Sequence, residues 1–169
     1  MVSQAVAAIA LGLLGASGVA KVVNPEPTRR ALKAARLPSS TLLSRALGVA
    51  EISAALLGLV GPVRASAPAA LLYLGFMLFM LAAVQNRIPL QSCGCFGREE
   101  TPPSWLHVVY NAGATLFLGW IVLSSTSPIP WSLPPVQIAT YIFFAGLGVF
   151  ASYLLLTRLP QLMQIARST

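Results

Sequence analysis

The chain has 169 residues, of which 56% are hydrophobic and 9% charged, and it carries a formal net charge of +7. A soluble domain has about 25% charged residues, so an aqueous globular fold would lack a surface here, and the composition is that of an integral membrane protein. The basic excess does not read as nucleic-acid binding, because the cations sit between long apolar runs, as they do in the loops of multi-pass proteins.

Five apolar runs approach or exceed the roughly 20 helical residues that a hydrocarbon core requires: Val2 to Val23, Leu42 to Val60, Ala67 to Val84, Leu106 to Leu123 and Val136 to Thr157. The first opens with Met1-Val2-Ser3-Gln4, which lacks the basic side chain of a secretory signal and reads as a retained span. It closes at Asn24-Pro25-Glu26-Pro27. The next stretch, Thr28 to Leu37, has a basic face and an alanine/leucine face, which fits a short helix lying on the membrane surface or a solvated charge run. The second span stops at Gly61-Pro62, and the short link from Gly61 to Ser66 predicts an antiparallel hairpin with the third. Within the third, Leu71 to Met80 is apolar all round rather than alternating, which excludes barrel strands. Prolines at Pro89 and in Ser127-Pro128-Ile129-Pro130 stand where the third and fourth helices should stop. The expected fold is an all-α membrane protein, an antiparallel four-helix transmembrane bundle with a fifth C-terminal transmembrane helix. Residues 1–125 form the bundle with a basic first loop, and residues 126–169 supply a linker, the fifth helix and a short basic tail.

Between spans three and four lies Gln91-Ser92-Cys93-Gly94-Cys95-Phe96-Gly97, which contains the only two cysteines of the chain. Thiols this close can pair with each other, hold a soft metal, or exchange with a partner's disulfide, and Gly94 permits the bend. Disulfide geometry wants Cα atoms about 4.4–6.8 Å apart, whereas an extended i, i+2 pair lies at or beyond that limit. A Cys93–Cys95 bond must therefore fold the backbone, and a strained bond of that kind is labile. Two incidental loop cysteines are the bland alternative.

Parity of the spans decides which features share a face. Ten of the eleven basic residues fall on the side reached after spans one, three and five, and only Arg64 falls on the other. The positive-inside rule then places the amino terminus outside and both the carboxyl terminus and the thiol loop in the cytoplasm. Lys21, Glu51, Gln85, Asn86, Arg87, His107, Tyr110 and Asn111 share a layer beneath the thiols. A carboxylate inside a span is costly and usually faces a partner cation or a water-filled cavity, so Glu51 pairs with Lys21 or Arg45 to lock packing, or handles protons. His107, the only histidine, stands one turn before Asn111 and is a candidate base or thiolate stabiliser, with a plain interfacial anchor as the alternative. Trp105, Tyr110 and Trp131 read as aromatic-belt residues.

Small residues at Gly12-x-x-Gly15-x-x-Gly18 and Ala50-x-x-Ser53-Ala54-Ala55-x-x-Gly58 predict close helix packing rather than a cofactor box. Met77 and Met80 read as space-fillers, with a soft-metal route as the lesser alternative. No phosphate loop, zinc-ligand set or Ser/His/Asp arrangement is visible.

Cys93-Gly94-Cys95-Phe96-Gly97, together with Gly18-x-x-Lys21 and Gly48-Val49-Ala50-Glu51, resembles the MauE branch of the DoxX-like membrane proteins. His107-Val108-Val109-Tyr110-Asn111 is similar to the arginine–asparagine signature opening that family's fourth helix, with Tyr110 where a basic residue is expected. The resemblance covers roughly the first 125 residues. It implies a four-helix bundle in a bacterial inner membrane and a role beside thioredoxin-like proteins in maturing disulfide-containing partners, as in methylamine dehydrogenase assembly. That role is usually placed on the outer face, where disulfides persist, whereas the charge count puts the thiols inside.

Thiol–disulfide exchange is thus the leading expectation, an oxidoreductase activity with Cys93 and Cys95 as the reacting pair. Glu51 and His107 assist, and Lys21, Gly94, Phe96, Gly97 and Asn111 organise the site. Its expected partners are a thioredoxin-like protein or a disulfide-containing substrate protein, in a lipid bilayer. A quinone is a further redox partner compatible with this chemistry, and no residue identifies its site. A soft-metal carrier of the copper or mercury type, using the same thiols, and a structural assembly subunit are the alternatives.

Overall fold

The computed structural model describes residues 2–85, 103–124 and 133–168. Its α-helices are α1 (Val2–Val23), α2 (Glu26–Ala34), α3 (Thr41–Val60), α4 (Ala67–Val84), α5 (Trp105–Ser124) and α6 (Pro135–Ser168), with a 3₁₀ turn over Val63–Ser66. All but α2 are long and apolar enough to cross a membrane, and the described residues contain no strand. A helix closes its backbone hydrogen bonds within itself, which a span without water around it must do. The all-α membrane fold expected from the composition is the one found.

Helix α1 is the hub, packed on α3 along most of its length and on α6 along its outer side, while α4 packs chiefly on α5. Small residues explain the first contact. Gly18 lies against Gly48, Gly15 against Ala55, and Leu11 against Gly58, so α1 and α3 run antiparallel with their backbones nearly touching. A Cβ on Gly48 would stand 2.6 Å from the Gly18 carbonyl oxygen. The two predicted stripes are redistributed in detail. Gly12 faces Val149 of α6 rather than α3, and Ala50 and Ser53 are exposed, so the contacting row of α3 is Gly48, Glu51, Ala55 and Gly58. Gly48→Val should therefore force the two helices apart and lower stability by about 1–3 kcal/mol, the usual cost of overpacking. Gly113→Ala, where an added Cβ meets nothing within 4 Å, should be neutral or better, and unfolding of both variants in detergent micelles checks the contrast.

The hairpin expected from the Gly61 to Ser66 link is tempered. The link folds as the 3₁₀ turn, and α3 and α4 touch less than either touches its main partner. Tyr73 of α4 donates its hydroxyl to the Ala10 carbonyl of α1 at 2.7 Å, tying the two helix pairs together.

The surface helix α2 begins two residues before the predicted stretch, because Pro27 is tolerated in a first turn where its missing N–H costs nothing. Glu26 pairs with Arg29 at 2.7 Å and with Arg30 at 3.0 Å. Those two guanidinium groups hold the Glu26 carboxyl down at about 2, so the pairs stay ionised through the ordinary carboxylate range and are lost only as pH falls through about 2. At its far end Leu37 N–H donates to the Leu32 carbonyl and Arg36 N–H to that of Lys33. Arg36 has a left-handed φ of 59°, where glycine is usual. Thr28 and Ala31 are buried and Arg30 and Lys33 exposed, so the apolar face of α2 meets the bundle.

Helix α6 runs past the predicted end at Thr157 and through Pro160 to Ser168. Apolar character fades at Arg158, but a helix need not end where its hydropathy does.

Candidate functional site

Lys21 in the last turn of α1 and Glu51 in the middle of α3 meet because the Gly18–Gly48 contact brings their helices together at that depth. The Lys21 Nζ lies 2.9 Å from Glu51 Oε2, with the two side chains 3% and 0% exposed. The ammonium also donates to Ser17 Oγ at 2.5 Å, one turn back on α1, and sits 5.2 Å from the centre of the Phe76 ring. Glu51 Oε1 has no hydrogen-bond partner among the described residues. Of the two partners expected for Glu51, the structure selects Lys21, and Arg45 is exposed. A buried ion pair is weak evidence of net stability, since desolvation offsets the attraction. Keeping one here, with a carboxylate oxygen left over, is informative about use.

Across from this pair, the first turns of α5 present His107 and Asn111, 2% and 8% exposed. The His107 Nδ1 shares a hydrogen bond of 2.8 Å with Ser104 Oγ. Ser17, Lys21, Tyr73, His107, Tyr110 and Asn111 border a cavity of about 30 Å³ between α1, α4 and α5. That is room for about two water molecules among groups able to hold them. The rings of Tyr73 and Tyr110 stand 6.3 Å apart, centre to centre, so Tyr110 belongs to this interior cluster.

Lys21, Glu51, His107 and Asn111 are thus brought into one polar layer. Cys93, Gly94, Cys95, Phe96 and Gly97 lie outside the described residues, as do Asn86 and Arg87. The chain enters that loop from Gln85, just past α4, and leaves it at Pro103, just before α5. Both helix ends belong to the face toward which Lys21 and His107 lie. Ser17, Ser104 and Tyr73 were not singled out by sequence reasoning. Ser17 had a signal, its i, i+4 spacing to Lys21, whereas Tyr73 was hidden in a run of apolar residues.

Chemically, the layer offers a neutral ion pair, an imidazole and an amide around a cavity of water size, enough to accept, hold and return a proton within the bundle. Met80 is fully buried and packs with Val108, Met77 and Phe79 in an apolar cluster, the space-filling role expected of it. Among the described residues no three His, Cys, Asp or Glu side chains gather as a metal site.

The sequence profile of the family described as methylamine utilisation protein MauE matches residues 1–124, from α1 to the end of α5 and across the Cys93-Gly94-Cys95 loop. No curated protein and no solved structure matches the chain.

Proposed function

The chain belongs to the MauE family, and on that premise we propose that it is a membrane thiol–disulfide exchange protein that matures disulfide-containing partners, methylamine utilisation being the setting its family name points to. The observation that carries this reading is the meeting of Lys21, Glu51, His107 and Asn111 in one buried polar layer, on the face where the chain's only two thiols are tethered.

In the exchange a thiolate of the Cys93/Cys95 pair attacks a partner's disulfide, releasing one partner thiol and forming a mixed disulfide. The second cysteine attacks that bond, so the partner ends as a dithiol and Cys93–Cys95 as a disulfide. Run backwards, the same steps oxidise the partner. A thiol must lose its proton to attack. In this reading His107 takes that proton, and the water-sized cavity passes it to and from the Glu51–Lys21 pair. The partner is a thioredoxin-like protein or the substrate protein itself. The protein sits in a bacterial inner membrane, and the charge distribution favours an outer amino terminus.

The test is a thiol titration of the purified protein mixed with a thioredoxin-fold protein in the opposite redox state. The expected result is a loss of the two cysteine thiols matched by an equal gain in the partner. An unchanged titre on both sides contradicts the reading.

A further inference from the structure

Beside the polar cavity lies a second hollow, of about 240 Å³, between α2, α3 and α4. Leu32, Leu47, Leu72, Phe79 and Met80 make its walls largely apolar, and Lys21 is the one charged residue among the described residues that line it. Lys21 and Phe76 border both hollows and so form the partition between them. From Met80 to Leu71 the α4 wall runs about 14 Å along the helix axis, from the layer of α2 past the midpoint of α4. Leu71 and Gly75 are exposed, so the hollow opens on the lipid side.

We propose that this groove binds a lipid-soluble quinone, ring toward Lys21 and tail toward the bilayer centre, and that the electrons of the thiol pair leave the protein there. The inference rests on the exchange reading above. The step balances: two S–H bonds of Cys93 and Cys95 break, one S–S bond forms, and two electrons and two protons convert the quinone to a quinol. A phospholipid headgroup is the poorer occupant. Its phosphate calls for net positive charge, and Lys21 is neutralised by Glu51 at 2.9 Å, while the exposed Arg30 and Lys33 of α2 do not line the groove. A quinone ring is flat, uncharged and rich in acceptor oxygens, which fits the Phe76 and Phe79 rings and an ammonium whose charge is already balanced.

Gly75 makes the groove testable without disturbing its walls. An added Cβ at Gly75 meets nothing within 4 Å and Gly75 lines the hollow, so Gly75→Leu should extend into that space and leave the helices in place. Gly113→Leu, equally open but on a separate hollow between α1, α5 and α6, is the control. The probe is a photoreactive azido-ubiquinone of short tail, with decylubiquinone for turnover, added to the dithiol-form full chain in phosphatidylcholine nanodiscs. The expected result is labelling of α4 between Leu71 and Met80 and quinone-dependent loss of thiols. Both should fall at least tenfold in Gly75→Leu and stay unchanged in Gly113→Leu. Labelling elsewhere, equal labelling in Gly75→Leu, or displacement of the probe by phosphatidylglycerol overturns the groove assignment. Thiols that exchange with a thioredoxin-fold protein but never with decylubiquinone overturn the quinone step alone and leave the exchange reading standing. Thiols that exchange with neither overturn that reading too.

Discussion

Cys93→Ser and Cys95→Ser should each bring disulfide exchange down to background, and only one of them should accumulate a covalent complex with the partner. The asymmetry follows from the order of events. The variant that keeps the attacking sulfur still forms a mixed disulfide, but without its neighbour it cannot resolve it, so the complex persists on a non-reducing gel. The variant that lacks the attacking sulfur forms no complex. Serine is close to cysteine in size, so the loss reports chemistry. A soft-metal carrier behaves differently, with metal protecting both thiols from alkylation and no trapped protein. A structural subunit tolerates both substitutions.

The second large effect falls on the buried ion pair. Lys21→Met leaves Glu51 without its cation at 0% exposure, and breaking such a pair should cost about 3–5 kcal/mol. Glu51→Gln keeps an acceptor for the ammonium and is milder, about 1–3 kcal/mol, the range for an imperfectly satisfied buried group. The double variant Lys21→Met/Glu51→Leu removes both charges and fills their space, so it should recover most of the stability. It should not recover exchange. Unfolding and thiol-exchange rates measured on the same three variants separate the two roles. A double variant that is both stable and fully active would reduce the pair to a packing device.

Much of this molecule is written plainly in its residues. The spans were legible because lipid demands long apolar helices, and the Glu51–Lys21 pair because a lone carboxylate in such a helix must find a cation. Lys21 shares the layer of Glu51, and it is the partner found. The interior role of Tyr73 was not legible, since a tyrosine in an apolar run gives no sign of whether its hydroxyl meets a carbonyl 63 residues away. The assignment of small residues to neighbours was half legible. Spacing identifies a face, but α1 serves α3 and α6 at once, so Gly12 and Gly18 answer to different helices. The groove behind Lys21 had no sequence signal, because it arises where α2, α3 and α4 leave a gap between them, and Gly75 shows its meaning only when the space around it is seen.

The most direct test of thiol exchange is to tag Cys93 and Cys95 in native membranes with a membrane-impermeant maleimide of high mass, with and without prior reduction. The account predicts no tag before reduction and two tags after it, with the accessible side of the membrane fixing the orientation of the loop. Two tags without reduction, unchanged after incubation with an oxidised partner, would contradict it.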